Sequence, residues 1–321
     1  MKIHPLADAE IAVFDNLARS CGTIFDTVAW TQMFGSAITR YGIYDRGERL
    51  LGGFSLFCER KFWLSIYRQA PFTPTMGPFV LTERVNPVSI MDTWKEILWM
   101  MAGVLKEGGP LVVLVSLNKN IVDMQPFLWE KFKVSPRYTY ILDLRRPLEE
   151  LWRRMSSERR KNITKGRKDG LIVSQTEDYS IVERLTLQTF MRQAISLDSQ
   201  YLKKILYEFA NKRNSYVYVT SEGNDPVACC FCVHDAATAY YLIGGYDMAR
   251  KHHGAVALSM WEAITHAHHL GLKTFDFEGS MLPNVESYFR GFGGDLVPYY
   301  QVIKAKLPME FVLKLYRREV F

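Results

Sequence analysis

Residues 239–278 read AYYLIGGYDMARKHHGAVALSMWEAITHAHHLGLKTFDFE. The run 239–244 is β-type. The stretch 244–254 is a loop bounded by glycines, and Leu258, Trp261 and Ile264 then line one side of a helix that Gly271 ends. Residues 273–278 follow as a short strand. Strands joined through a helix lie parallel, whereas strands joined by tight turns pair antiparallel. The segment therefore predicts a mixed sheet with a helix on its face. It also sets a helix N-terminus beside a strand end, where free amides and the helix dipole make a receptor for an anion.

Upstream, 216–220 and 227–233 are strands flanking the turn Glu222-Gly223-Asn224-Asp225, preceded by helices near 181–192 and 200–211. Pro147 opens a helix with Leu148, Leu151, Trp152 and Met155 on one face. Downstream lie a short helix and a strand over 297–304. The first half reads similarly, with helices over 7–20 and 27–38 and strands over 38–44, 50–58 and 62–67. A helix carrying Ile90, Trp94, Ile97, Leu98, Met101 and Leu105 stops at Gly108-Gly109-Pro110, before the strand 111–117. A helix near 125–132 and a strand near 138–144 complete that half. The expectation is an α/β chain of mixed (α+β) sheets in two domains, 1–140 and 141–305, with a tail helix over 306–321.

With 321 residues, 48% of them hydrophobic, the chain is long enough for two cores of ordinary size. Its longest apolar stretch, 97–105, is too short to span a bilayer, and the N-terminus lacks the apolar core of a secretory signal. A cytoplasmic location is expected. Five cysteines, three of them at Cys229, Cys230 and Cys232, read as buried thiols in a reducing compartment. The C-x-x-C lies in an extended run, whose alternation sets Cys229 opposite Cys230 and Cys232, so no chelating pair is expected. His266, His268 and His269, with His252 and His253, invite a metal reading, but the helix that carries the first three offers no carboxylate or Cys partner at suitable spacing, and no metal is expected. The net charge of +6 is localised: residues 153–168 carry eight basic residues and one acidic, a net of +7. A single patch points to a localised anionic partner, such as a phosphate-bearing donor or acceptor, or RNA.

Several segments together carry a resemblance. They are Arg159-Arg160-Lys161-Asn162-Ile163-Thr164-Lys165 before Gly170-Leu171, Tyr240-Tyr241-Leu242-Ile243-Gly244-Gly245, Gly254-Ala255 with Trp261-Glu262-Ala263-Ile264, Phe275-Asp276-Phe277-Glu278-Gly279-Ser280, and Tyr288-Phe289-Arg290-Gly291-Phe292-Gly293-Gly294. In this order and spacing the chain resembles the FemABX family and the FemAB-like acyltransferases of the GNAT superfamily. The match is fullest over 140–305, and Gly22-Thr23-Ile24-Phe25 with Trp30 is similar to the family's entry segment. The resemblance implies two tandem GNAT-like domains and transfer of an acyl group from a thioester to an amine. It also admits transfer of an amino acid from aminoacyl-tRNA to a peptidoglycan precursor in cell-wall synthesis. The co-substrate would be acyl-CoA or aminoacyl-tRNA, with tRNA as a partner in the second case. A non-catalytic module binding RNA or anionic lipid is the alternative of a different class. Two motifs depart from the family: Lys251-His252-His253-Gly254-Ala255-Val256 keeps one glycine of a pyrophosphate loop, and Arg290 stands where the family has Lys.

Acyl transfer to an amine needs a base, a polarised carbonyl and oxyanion donors. Asp276 and Glu278, two apart on the strand 273–278, should share a face and supply the base. Arg290 would hold charge near the transfer centre, since guanidinium does not shuttle protons. The amides of Gly244, Gly245, Gly254 and Ala255 would be donors to an oxyanion or phosphate, and Tyr246 would meet the leaving group or acceptor. Arg159, Arg160, Asn162 and Lys165 would grip a phosphate-bearing substrate. Only Ile163 is apolar between Glu158 and Gly170, so this segment is not expected to be a packed amphipathic helix.

Overall fold

A computed structural model describes residues 1–62, 64–192, 197–250, 252–279, 281–307 and 309–310. The chain forms two compact units, residues 1–137 with those from 298 onward, and residues 138–297.

The first unit holds β1 (Lys2–Pro5), α1 (Ile11–Cys21), α2 (Val28–Thr31), β2 (Ile38–Tyr44), β3 (Leu50–Lys61), β4 (Leu64–Arg68), β5 (Phe79–Val80), α3 (Pro87–Lys106), β6 (Val112–Ser116) and α4 (Gln125–Trp129). The helix expected over 27–38 is only α2 followed by 3-10 turns, because Gly35 takes φ 55° and breaks it. β2, β3 and β4 pair antiparallel, and α3 carries the chain to β6, parallel to β4. Asn86 starts α3 by accepting from the amides of Val88 and Ser89, with Pro87 in the first turn. Ile97, Met101 and Leu105 of α3 are fully buried in the core of this unit.

The strand β7 (Lys133–Asp143) leads into the second unit, with α5 (Leu148–Arg154), α6 (Ser157–Lys168), β8 (Ile172–Thr176), α7 (Tyr179–Arg192), α8 (Ser199–Lys204), β9 (Ser215–Glu222), β10 (Asp225–His234), β11 (Thr238–Tyr246), α9 (Ala255–His269), β12 (Thr274–Asp276), α10 (Pro283–Arg290) and β13 (Asp295–Ala305). β8 to β11 pair antiparallel in chain order, and α9 carries the chain to β12, parallel to β11. This repeats β2, β3, β4, α3, β6, so the tandem reading of the sequence describes the fold.

The closing strands differ from that reading. Ile141 to Asp143 of β7 pair with β12, and Gln301 to Ala305 of β13 pair with β6. The strand assigned to the end of the first domain thus serves the second unit, and the reverse holds for 298–305. Each supplies backbone partners to the open edge of a parallel strand, a requirement that is satisfied in space rather than in chain order. The tail helix expected over 306–321 falls largely outside the described residues.

Cys230 and Cys232 lie in the core of the second unit, their sulfurs 3.8 Å apart, with the Cys230 sulfur 3.8 Å from that of Met260. Burial pushes the Cys229 thiol up to about 12. Among the described residues, no three His, Cys, Asp or Glu side chains gather to hold a metal ion. Among them, too, no helix is long and apolar enough to cross a membrane.

Candidate active site

β11 and β12 pair only where Thr238 to Tyr240 face Thr274 to Asp276. β11 runs on to Tyr246 while β12 ends, so the parallel pair opens at the C-terminal end of β12. Just past the opening Phe231 faces Ile243 but Cys232 faces Tyr241, which makes Leu242 the extra residue of a bulge. A bulge bends its strand and re-aims side chains, and the crevice beyond parallel strand ends is where α/β sheets receive ligands.

α10 lies over this opening. Phe289 meets Tyr241 edge-on, with centroids 5.7 Å apart, and stacks on Phe277 at 5.4 Å. Phe292 lies 5.5 Å from Phe277 and 5.6 Å from Tyr288. The Arg159 guanidinium sits over the Tyr288 ring, 3.9 Å from its centroid. Arg159 is 5% exposed, and among the described residues its guanidinium forms no hydrogen bond or ion pair. A desolvated cation over an aromatic face is worth ~2 kcal/mol. The Tyr288 hydroxyl is likewise buried without a hydrogen-bond partner among the described residues. Burial raises its pKa well above the usual phenol range, and the nearby Arg159 charge opposes this only in part, so Tyr288 stays protonated at neutral pH.

The two strand-end carboxylates do not share a face. β12 stops at Asp276, and Glu278 takes φ 56°, which breaks the alternation. Asp276 is buried, and its Oδ1 accepts from the Thr139 hydroxyl at 2.6 Å and from the Glu278 amide at 2.9 Å. That carboxylate holds the strand end together. Gly279, at φ 68°, is required where it stands, because a Cβ there would lie 2.0 Å from the carbonyl oxygen of Tyr138. Ser280 and Lys251 lie outside the described residues.

Arg290 is exposed on the last turn of α10, and its Nε donates to Glu286 at 2.9 Å. The same Glu286 oxygen accepts from the Tyr140 hydroxyl. The Tyr140 hydrogen bond, followed by that from Arg290, holds the Glu286 carboxyl below its ordinary 4.5 against the opposing effect of desolvation. A carboxyl depressed in the folded state stabilises it above the unfolded pKa, and that contribution is lost as pH falls through the folded value. Tyr140→Phe is expected to raise the Glu286 pKa towards 4.5 in an NMR carboxyl titration. The stability difference between the two proteins should be present at neutral pH and shrink as pH drops below that value. An unmoved titration would refute the assignment.

The basic segment is a helix, and it packs. Ser156 caps α6 by accepting from the Arg159 amide, and Arg159, Ile163 and Gly166 are buried. Backbone contact replaces apolar side chains: a Cβ on Gly254 would lie 2.4 Å from the Asn162 carbonyl oxygen and 2.9 Å from Cα of Gly166. Of the four residues assigned to phosphate binding, Arg160 and Lys165 line one groove along α6, while Arg159 and Asn162 are engaged elsewhere. Arg159 stacks on Tyr288, the Asn162 backbone abuts Gly254, Arg160 donates to the Arg153 carbonyl oxygen at 2.9 Å, and Lys165 pairs with Asp169.

The amides of Gly254 and Ala255 are already engaged. Gly254 donates to His252 Nδ1 at 3.0 Å, and Ala255 to the His252 carbonyl oxygen at 3.1 Å. His252 Nε2 lies 3.0 Å from Asp169; with Nδ1 accepting from the Gly254 amide, Nε2 is the nitrogen that donates to the carboxylate. Gly244 and Gly245 lie within β11 rather than in a turn. A Cβ on Gly245 would lie 2.5 Å from the Leu185 carbonyl oxygen, and one on Gly244 would lie 1.7 Å from the Tyr241 hydroxyl, so both glycines permit packing. The Tyr246 amide donates to the Thr189 hydroxyl at 3.2 Å. Tyr288 receives no role from the sequence beyond its place in an aromatic-rich run. Its distinguishing property, a buried hydroxyl under a guanidinium, is tertiary.

Residues 153–290 match the family model described as an acetyltransferase (GNAT) domain. No curated protein matches the chain. Among solved structures, the chain is similar to FemX, with 11% identity over 94% of this chain and 97% of that one and a TM-score of 0.66. It is also similar to L-PGS from Bacillus licheniformis, with 10% identity, 97% and 96% coverage and a TM-score of 0.59. A tandem GNAT protein from the clavulanic acid biosynthesis pathway matches at 12% identity, with 94% and 97% coverage and a TM-score of 0.54. At these identities the likeness is one of fold.

Proposed function

We propose that this chain is a FemABX-like GNAT acyltransferase and transfers an acyl group from a thioester donor to an amine at the opening between β11 and β12. One observation carries the reading: the parallel pair opens under a buried Tyr288 hydroxyl that has no partner among the described residues. Such a hydroxyl is suited to give its proton to a departing thiolate.

In this reaction the amine nitrogen attacks the thioester carbonyl carbon, the N–C bond forms, and the C–S bond breaks as the tetrahedral centre collapses. The thiolate takes the Tyr288 proton. The amine proton goes to Glu278, whose positive φ two residues past β12 is a strained placement of the kind that gathers at functional sites. Exchange with solvent resets both groups. Asp276, engaged by two donors, positions the loop that carries Glu278. Arg159 stacks over the Tyr288 ring and orients it. Coenzyme A is the thioester carrier that a GNAT domain implies. The aminoacyl-tRNA donor and the peptidoglycan-precursor acceptor enter no step here.

The test is turnover of acyl-CoA with a panel of amines. Glu278→Gln is expected to lower kcat about 100-fold. A rate like that of the wild type would remove Glu278 from the reaction, and no transfer to any amine would sink the reading as a whole.

A further inference from the structure

A helix that follows a strand and a glycine loop ordinarily receives phosphate on its N-terminal amides. At the start of α9 this place is closed on two sides. The Gly254 and Ala255 amides are held by His252, and the α6 backbone at Asn162 and Gly166 fills the space where a Gly254 side chain would stand. A diphosphate arriving there would have to displace the imidazole and push α6 away from α9.

Next to it, along α6, runs an open groove of 570 Å³, lined by Trp152, Ser157, Arg160, Lys161, Lys165 and Lys168 among others. It reaches Asp169, the partner of His252, so it ends at the corner where the loop before α9 is fixed. Ser157, Lys161, Lys165 and Lys168 recur at helical spacing on one face. Lys165 is committed to Asp169, but Lys161 and Lys168 form no ion pair or hydrogen bond through their side chains among the described residues. Trp152 is half-buried in the wall, its indole edge-on to Trp261 at 5.3 Å. Uncommitted ammonium groups beside an aromatic side chain suit a nucleoside phosphate, whose anionic oxygens meet lysine while its base stacks.

We propose that the nucleotide end of a coenzyme A thioester is held in this α6 groove, by Lys161 and Lys168 with Trp152 against the base, in place of the N-terminus of α9. This rests on the reading of the site as thioester-dependent, and it moves the anion site from backbone amides to side chains of the neighbouring helix. It also gives the localised charge of residues 153–168 a use that the packing of α6 does not require.

The probe is adenosine 3',5'-bisphosphate, the nucleotide of coenzyme A without its arm, titrated calorimetrically into the full chain. Alongside, kcat/KM is measured for acyl-CoA and for acyl-pantetheine, which lacks the nucleotide. The bisphosphate is expected to bind more weakly as salt rises, and Lys161→Ala/Lys168→Ala to weaken it at least about tenfold. Acyl-CoA should exceed acyl-pantetheine by about tenfold in the wild type, with the ratio falling towards one in the variant. Both lysines are exposed, and a thermal melt of the variant checks that it folds. A bisphosphate that does not bind, or that binds the variant equally well, overturns the proposal, as does equal use of the two donors by the wild type. Transfer from neither donor, with the bisphosphate bound in a lysine-dependent manner, overturns the acyl-transfer reading and leaves the nucleotide site standing.

Discussion

Tyr288→Phe is expected to lower kcat about 100-fold with an alkyl thioester, within the range that a positioned general acid contributes. The ring, its stacking under Arg159 and its contact with Phe292 are all retained in the variant, so only the hydroxyl is tested. The discriminating measurement is the leaving group. An aryl thioester, whose thiol is far more acidic, needs little protonation as it departs, and the variant should lose at most a few-fold with it. KM for the amine should stay near the wild-type value, because a group acting only as the C–S bond breaks contributes nothing to ground-state binding. Equal losses with both thioesters would assign Tyr288 to packing. In solution, a phenol held neutral by burial keeps activity level through the range where free tyrosine ionises, and the alkaline limb of the profile should be absent until well above pH 10.

The second large effect is on stability. Gly254→Ala places a methyl group 2.4 Å from the Asn162 carbonyl oxygen and 2.9 Å from both the nitrogen and Cα of Gly166. These are backbone atoms of a packed helix and cannot rotate aside, so α6 must move away from α9. Overpacking of this kind costs about 3 kcal/mol, a fall of roughly 6–12 °C in Tm for a domain of this size. The backbone itself is not the obstacle, because Gly254 has φ −87° and ψ −17°, which alanine adopts freely. Gly103→Ala is the control: no atom lies within 4 Å of a Cβ at that helical position, and the change should be neutral or stabilising by about 0.5–1 kcal/mol. Similar melting curves for the two variants would mean that α6 and α9 do not meet as described. A destabilised Gly254→Ala that still binds adenosine 3',5'-bisphosphate through α6 would separate the packing role of Gly254 from the nucleotide groove.

The order of strands and helices, the parallel pairing of β11 with β12 and the tandem repetition follow from the sequence, because hydrophobic period, turn residues and connection type are local properties. The elements of the candidate site were legible to the same extent: Glu278 stands at the strand end, and Arg159 and Tyr288 lie in the segments that carry the family resemblance. Four matters were settled only in three dimensions. Asp276 and Glu278 diverge because a single positive φ ends the alternation. Arg159 is buried by an aromatic ring 129 positions away. The Gly254 and Ala255 amides at the start of α9 are taken by a histidine within their own loop. β7 and β13 close the sheets of units to which the elements before them in the chain do not belong. Periodicity reports which face of an element is apolar, but it is silent on which partner covers that face. α6 makes the point, for with one buried apolar side chain it packs through glycine and a stacked arginine, neither of which carries a hydrophobic signal.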